Sequence, residues 1–325
     1  MSFYLLKRIL YAIPILLGVN LMTFMLFFMI NTPDDMARAQ LGKKYVTPAM
    51  INQWKITHDY DKPLYFNPAA QGISKLTDTL MVKKSLSQFT FSFGRSDQGR
   101  DINADIAERM WPSLALAIPT LLLSLFLNIV LALLIVFFRH TKLASTGTLF
   151  CIVLMSISGL FYIIGGQYLF SNLMQLLPVS GYQSGLSAWR FLLLPVTVAV
   201  FSGLGMGTRW YSSIFREEMS KEYVRTARAK GLSEVAVLFR HVLKNGLLPI
   251  LTGVVVLIPS LFLGSLVLES FFGIPGLGSY MIDAIRAQDF AVVRTMVFLG
   301  TFFYVVGLIL TDLSYSWVDP RVRLR

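Results

Sequence analysis

Long apolar stretches separated by short charged segments dominate this 325-residue chain. No Asp, Glu, Lys or Arg occurs in residues 9–30, 113–138, 143–189, 191–208, 245–268 or 295–311. A helix needs about 20 apolar residues to cross the hydrocarbon core. Six such runs would not feed one soluble core. The run 143–189 is too long for one crossing, so it predicts a span to about Phe170 and then an outer loop holding Pro178, Gly181 and Gly185. Residues 1–30 are expected to hold an N-terminal segment and the first span, and the others are expected at about 113–138, 147–170, 190–208, 246–268 and 291–312. Lys7 and Arg8 precede the first, which lacks the short core and small-residue cleavage site of a signal peptide. Trp111-Pro112 opens the second, and Pro119 is expected to kink it.

One long polar region interrupts the pattern. Residues 31–110 hold nine acids and eleven bases and read as an extracytoplasmic insertion with helical patches. The remainder, 111–325, forms the membrane core. Composition agrees with a membrane protein. The chain is 55% hydrophobic and only 14% charged, against about 25% charged in soluble domains. That excludes disorder, collagen and a disulfide scaffold.

The net charge of +11 would suggest nucleic acid in a soluble protein, but a positive-inside bias explains it better here. With both termini inside, the inner segments carry 15 Lys and Arg, and the two short outer loops carry only Arg190, Arg286 and Arg294. Six spans with both ends in the cytoplasm is the topology that follows. The single cysteine, Cys151, lies in an apolar run and reads as a packing residue. His58, His140 and His241 are scattered, with no second ligand at metal spacing.

The charged loop 209–245 carries the most specific signal. Residues 217–230 predict a short helix with Tyr223, Val224 and Ala227 on one side and Arg225 and Arg228 turned away. Gly231 stops it. Ser233 caps a second helix, in which Val235, Leu238, Phe239 and Val242 recur at amphipathic spacing, suited to lie at the membrane surface among lipid headgroups. Asn245-Gly246 is expected to end it. A solvated basic connector that only sets topology is the plainer reading, and composition by itself favours it. A short helix isolated between spans, however, needs something to stabilise it, and a cytoplasmic protein partner is the sharper reading.

The stretch Glu222-Tyr-Val-Arg-Thr-Ala-Arg-Ala-Lys-Gly-Leu-Ser233, followed by His241-Val-Leu-Lys-Asn245 and Pro249, resembles the cytoplasmic loop of ABC-importer permeases, most closely the dipeptide/oligopeptide/nickel branch. Arg225-Thr226-Ala227 occupies the family's Glu-Ala-Ala triplet, and Gly231 matches its glycine. Asp61-Lys-Pro-Leu-Tyr65, Phe91-Ser-Phe-Gly-Arg-Ser96, Glu269-Ser-Phe-Phe-Gly-Ile-Pro-Gly-Leu-Gly278 with Asp289, and Asp312 through Asp319-Pro-Arg321 resemble further landmarks of that branch, in the same order. Two departures lie outside the membrane. Thr32-Pro-Asp-Asp35 stands where the family has Pro-Gly-Asp-Pro, and residues 66–90 match poorly.

The resemblance implies an all-α integral membrane protein of the bacterial cytoplasmic membrane, with six transmembrane helices of the ABC-importer permease type. It implies a second permease subunit, two ATPase subunits that bind ATP and Mg, and an extracytoplasmic substrate-binding protein delivering peptides. The ATPase-coupling residues it points to are Glu222, Tyr223, Arg225, Thr226, Ala227, Arg228, Ala229 and Gly231. Ala227, Ala229 and Gly231 are small enough for close backbone approach, Tyr223 offers an aromatic anchor, and Arg225, Arg228 and Lys230 suit acids at an interface rim.

The chain itself carries no Gly-x-x-x-x-Gly-Lys-Ser/Thr and no nucleotide fingerprint, so no cofactor is expected in it and it is not expected to be an enzyme. The substrate path is not specified, although Asn128, Ser156, Ser158, Gln167 and Asn172 are polar candidates for its lining, and Ser156 and Ser158 also read as helix-packing residues. The alternative is an ion-coupled secondary transporter or channel. Such proteins commonly hold midplane acids or bases, and the six span centres here have none. A membrane enzyme would need clustered His, Asp or Glu near one membrane face.

Overall fold

A computed structural model describes residues 2–42, 46–185 and 187–318. The tail from Asp319 to Arg325, which carries the end of the last sequence landmark, lies outside the described residues. The chain is helical throughout, with one isolated β-bridge, Arg95 to Asp101, among the described residues.

Helix α1 (Ser2–Ile30) contains the first span. Its chain does not simply fray into a loop. Thr32 accepts a hydrogen bond from Asp35 N while the Asp35 carboxylate accepts from Thr32 N, a capping box that starts α2 (Pro33–Leu41) with proline in its first turn. The Thr47 hydroxyl caps α3 (Pro48–Thr57) by accepting from Met50 N, again with proline in the first turn. A single turn, α4 (Ser74–Thr77), is followed by a π-helical turn, Met81–Ser85, and a 3₁₀ turn, Leu86–Thr90. These pieces fold over the end of α1. Met36, Ile51, Trp54, Tyr60 and Leu80 bury against Phe24 and Phe28 in one core. Asn20 of α1 donates to Gln88 Oε1 at 3.0 Å and pairs with Ser85, which joins the polar region to the span below it.

Helix α5 (Ile102–Phe137) begins nine residues before Trp111, with Asp101 as its cap, and runs through both Pro112 and Pro119. Its extra turns have a use: Ile102, Ile106 and Met110 pack in the core that also holds Leu277, Tyr280, Ala284 and Met296. The third hydrophobic stretch is not a straight span. It consists of α6 (Lys142–Ser156) and α7 (Gly159–Gly166), the latter extended by a π-helical turn to Leu173, and the two arms meet at 88°. Ile157 is extended at the corner, Ser156 turns its hydroxyl back to Ile152 O, and Tyr162 donates to the freed Leu154 O at 2.8 Å.

Helix α8 (Ala188–Met219) overruns the expected end at Thr208 by eleven residues. No breaker occurs there, and Tyr211, Phe215 and Met219 keep one face apolar at a spacing of four. Helix α9 (Glu222–Ala229) starts afresh after a turn at Ser220-Lys221, so the short helix is narrower than 217–230. Helix α10 (Glu234–Val237), a π-helical segment Leu238–Leu243 and α11 (Lys244–Leu261) form one apolar rod from Glu234 to Pro259. Asn245-Gly246 does not end the surface helix; Gly246 is where Phe215 crosses it, since a Cβ there would lie 2.6 Å from the ring.

The expected fifth span, to Leu268, stops at Leu261. Helices α12 (Leu266–Phe272) and α13 (Leu277–Arg286) stand on either side of the turn at residues 273–276, and α14 (Phe290–Val318) is the last span. Among the described residues five helices are long and apolar enough to cross a membrane, and the bent pair, taken as one span, makes a sixth. α5 packs along α8, α6 against α8, α11 along α14, and α1 along α14. Gly205 permits the α6–α8 approach, because a Cβ would sit 2.4 Å from Cys151 O; Cys151 is buried at that crossing.

Candidate coupling site

The short cytoplasmic helix of the sequence reading is α9. Eight residues are too few to hold a helix in water, and its stability comes from below. Val224 and Ala227 enter a core made by Ala132, Leu133 and Val136 of α5, Tyr211, Phe215 and Met219 of α8, and Val237, Leu238, Val242 and Ile250 of the rod that follows. Burying Val224 alone contributes about 1.5–3 kcal/mol. The helix is thus anchored to the ends of three long helices at once.

Its two termini are locked. At the end, Gly231 N donates to Arg228 O at 2.9 Å and Leu232 N to Ala227 O at 3.3 Å, with Gly231 at φ +79. That is a Schellman closure, and its left-handed residue is a glycine as the sequence led one to expect. Ser233 then caps α10 through Ala236 N at 3.3 Å. At the start, the buried Glu218 carboxylate accepts hydrogen bonds from Lys221 and from the Tyr223 hydroxyl. Desolvation, followed by the hydrogen bond to Glu218, pushes the Tyr223 phenol up to about 12.

An ion-pair chain ties the helix sideways. Arg228 grips Glu234 with Nε to Oε1 at 2.7 Å and Nη2 to Oε2 at 3.2 Å, the bidentate form that fixes geometry. Arg139, in the turn after α5, reaches the same carboxylate at 3.7 Å. Arg225 pairs only with Glu222, at 2.8 Å and fully in solvent, where such a pair is worth little.

The structure therefore divides the eight sequence-selected residues. Glu222, Arg225, Thr226, Ala229 and Gly231 are exposed on one side. Ala227 faces inward beside Val224, and Tyr223 and Arg228 are half-buried and already engaged within the chain. Ala227 is thus a packing residue, Tyr223 is turned to Glu218, and Arg228 to Glu234. The small-residue approach to an incoming surface is left to Ala229 and Gly231. The amphipathic stripe of the next helix also splits: Leu238 and Val242 are buried, whereas Val235 and Phe239 are 51% and 57% exposed. The sequence reading missed Glu218 and Glu234, and its only available signal was acids flanking the helix at both ends.

The polar residues considered for a path are scattered. Asn128 is buried between α5 and α8, accepting from Thr208 Oγ1 at 2.9 Å and donating to Ser124 O. Gln167 is half-buried and donates to Val179 O and Phe271 O; Ser156, Ser158 and Asn172 are exposed. Glu269 is fully buried, its carboxylate accepting from Ser113 Oγ at 2.8 Å, Ser265 N at 3.1 Å and Ser279 N at 2.9 Å. Asp312 pairs with Arg8 at 2.8 Å, joining the first and last long helices. Among the described residues no group of three His, Cys, Asp or Glu is placed to hold a metal ion.

Comparison with known proteins bears on nearly the whole chain. Residues 128–324 match the family described as binding-protein-dependent transport system inner membrane component, and residues 1–110 match its N-terminal counterpart. A putative peptide transport system permease of Brucella abortus strain 2308 is 31% identical over 330 residues, 99% of each chain. A dipeptide transport system permease of Lactococcus lactis subsp. cremoris is 30% identical over 330 residues, again 99% of each. An oligopeptide transport system permease of Bacillus subtilis is 27% identical over 328 residues with the same coverage. The apolar helices, the glycine-closed helix α9 and this end-to-end similarity converge on one assignment: the chain belongs to the inner-membrane components of binding-protein-dependent transport systems, as a non-catalytic permease subunit of an ABC importer.

Proposed function

We propose that this subunit is the gate of an ATP-driven peptide importer and that α9 is the element through which ATP-hydrolysing partners work it. The observation that carries the reading is the division of α9 into two faces. Its inner face is packed into the ends of α5, α8 and the α10–α11 rod. Its outer face, with Glu222, Arg225, Thr226, Ala229 and Gly231, is free for a partner. A push on such a helix is delivered to several spans together, because packed interiors transmit strain rather than absorb it.

The proposed assembly has two ATPase subunits, each binding ATP and Mg, this chain, and a second permease subunit that is a paralogue. A substrate-binding protein docks on the face built from residues 31–110, which lies outside the cytoplasmic membrane. Both termini are cytoplasmic. The Lys and Arg excess of the segments then facing inward supports that orientation. Peptide cargo is supported by the relatives, which are named as peptide, dipeptide and oligopeptide permeases. Closure of the ATPases would move α9, and the helices packed on it would open the path to one side of the membrane at a time.

The test is Gly231→Val. A β-branched residue at φ +79 is strained by about 1–2 kcal/mol, yet the space around Gly231 is open, with nothing within 4 Å of a Cβ. The variant should insert and assemble, hydrolyse ATP, and lose transport at least tenfold. Normal peptide uptake by Gly231→Val would remove α9 from the coupling role.

A further inference from the structure

A hollow of about 260 Å³ opens between α5 and α6, close to the turn that joins them. Leu134, Ile135 and Phe138 line it from the end of α5, and Leu143, Phe150 and Cys151 from α6. Ile135 and Cys151, buried together with Ala144, form its floor. Leu134, Leu143 and Phe150 stand 46%, 63% and 52% exposed along its edges.

The fold explains why the two helices do not close on each other. Both pack on α8, and Gly205 draws α6 onto α8 at Cys151 and Leu154. Gly147 faces Ile135 across the gap and adds no side chain to fill it.

The surroundings decide what fills the hollow. α5 and the α6–α7 pair are apolar enough to cross a membrane, so its open side faces hydrocarbon. An apolar hollow does not hold water, and left unfilled it forfeits the dispersion contacts of its walls. A flexible hydrocarbon chain supplies those contacts.

The mouth of the hollow carries charge of one sign. The joining turn reads Arg139-His140-Thr141-Lys142, three basic side chains without an acid. Arg139 turns to Glu234 at 3.7 Å. His140 and Lys142 are exposed, and neither makes an ion pair among the described residues. The apolar wall begins at Leu143, directly after Lys142, so an ammonium and a hydrocarbon face are adjacent. A zwitterionic headgroup would bring a further cation to this turn, whereas a net-negative one meets only complementary charge.

We propose that the α5–α6 hollow binds an acyl chain of an anionic phospholipid, with its phosphate held by Lys142 and His140 beside it. The assignment is independent of the coupling role of α9. It does place the lipid one ion pair away from that helix, because Arg139 of the same turn shares Glu234 with Arg228.

The test uses the full-length chain in maltoside detergent and phosphatidylglycerol carrying a photoactivatable diazirine in one acyl chain. After illumination, peptide mass spectrometry should place the label in residues 131–151. Unlabelled phosphatidylglycerol should displace it at a concentration lower than phosphatidylcholine of the same chains by about fivefold, the worth of one cation at an anionic membrane surface. Lys142→Glu should abolish that preference. Leu143→Trp, which puts a larger ring at the edge of the hollow, should cut labelling of residues 131–151 by about fivefold, the same margin, and leave labelling of α14 unchanged. Arg190→Gln, which removes an exposed cation at the start of α8, should change neither quantity. Label spread evenly over the apolar helices, equal displacement by the two lipids, or an intact preference in Lys142→Glu would overturn the site. A chain that is dimeric in detergent and made monomeric by Leu143→Trp would show that a second copy fills the hollow, and the lipid assignment would fall.

Discussion

Three hydrogen-bond donors converge on the buried carboxylate of Glu269, from Ser113 on α5, from Ser265 at the start of α12 and from Ser279 on α13. Along the sequence this residue appears only as the start of the Glu269–Gly278 landmark. In the fold it is the tie between three separate segments. Glycines make the tie possible, since a Cβ at Gly276 would lie 2.3 Å from the carboxylate and one at Gly278 only 2.7 Å from Leu266 N. Removing the acceptor strands the donors, so Glu269→Ala should cost about 3–5 kcal/mol, read as a lower Tm in detergent, and Glu269→Gln should cost less. Gly278→Ala should lower Tm as well, whereas Gly203→Ala, with open space around it, should not. On the polar region, the hydrogen bond from Lys62 and then that from Lys83 hold the Asp78 carboxyl below its usual range. Its folded pKa is depressed, so the stabilisation is complete above its unfolded value of 3.8 and is lost as pH falls through the folded one. The Tm difference between wild type and Asp78→Asn should therefore be constant near neutrality and vanish in acid.

Among the elements, α9 shows how far a pattern can be read. Its existence, its glycine stop and the inward set Val224 and Ala227 follow from spacing and punctuation along the chain. Which neighbours receive that set does not, because they come from α5, α8 and the rod after it. Two substitutions separate the faces. Ala227→Trp overpacks a buried position and should destabilise by about 1–3 kcal/mol. Ala229→Trp, on the exposed face, should leave Tm unchanged and abolish assembly with ATPase subunits, read by copurification. Glu234→Gln removes the charge that Arg228 and Arg139 share. It should lower the ratio of peptide transported to ATP hydrolysed while leaving hydrolysis itself intact. The overrun of α8 follows from apolar periodicity that continues past Thr208 with no Gly or Pro to interrupt it, whereas α10 runs on into α11 through Gly246 because Phe215 packs against that glycine.

At the scale of the molecule, α9 is welded to the long helices and the polar region is welded to α1 and α14. Motion at one end therefore has rigid elements to travel along. A passive gate of this build should move no solute uphill by itself. Reconstituted alone in vesicles with a peptide gradient, the chain should show no concentrative uptake, and uptake should appear only with ATPase subunits, the second permease and the binding protein present. Concentrative flux by the lone chain would favour an ion-coupled transporter.

The order of apolar runs, the charge bias and the glycine after α9 were legible from consecutive residues, because partition into lipid and helix punctuation are local free energies. The corner at Ile157, the split of the surface stripe, the burial of Glu269 and the hollow between α5 and α6 were not. Each depends on which distant segment comes to lie alongside; Ser113 and Glu269 are 156 residues apart. Only packing decides whether a polar side chain meets water, a donor or nothing.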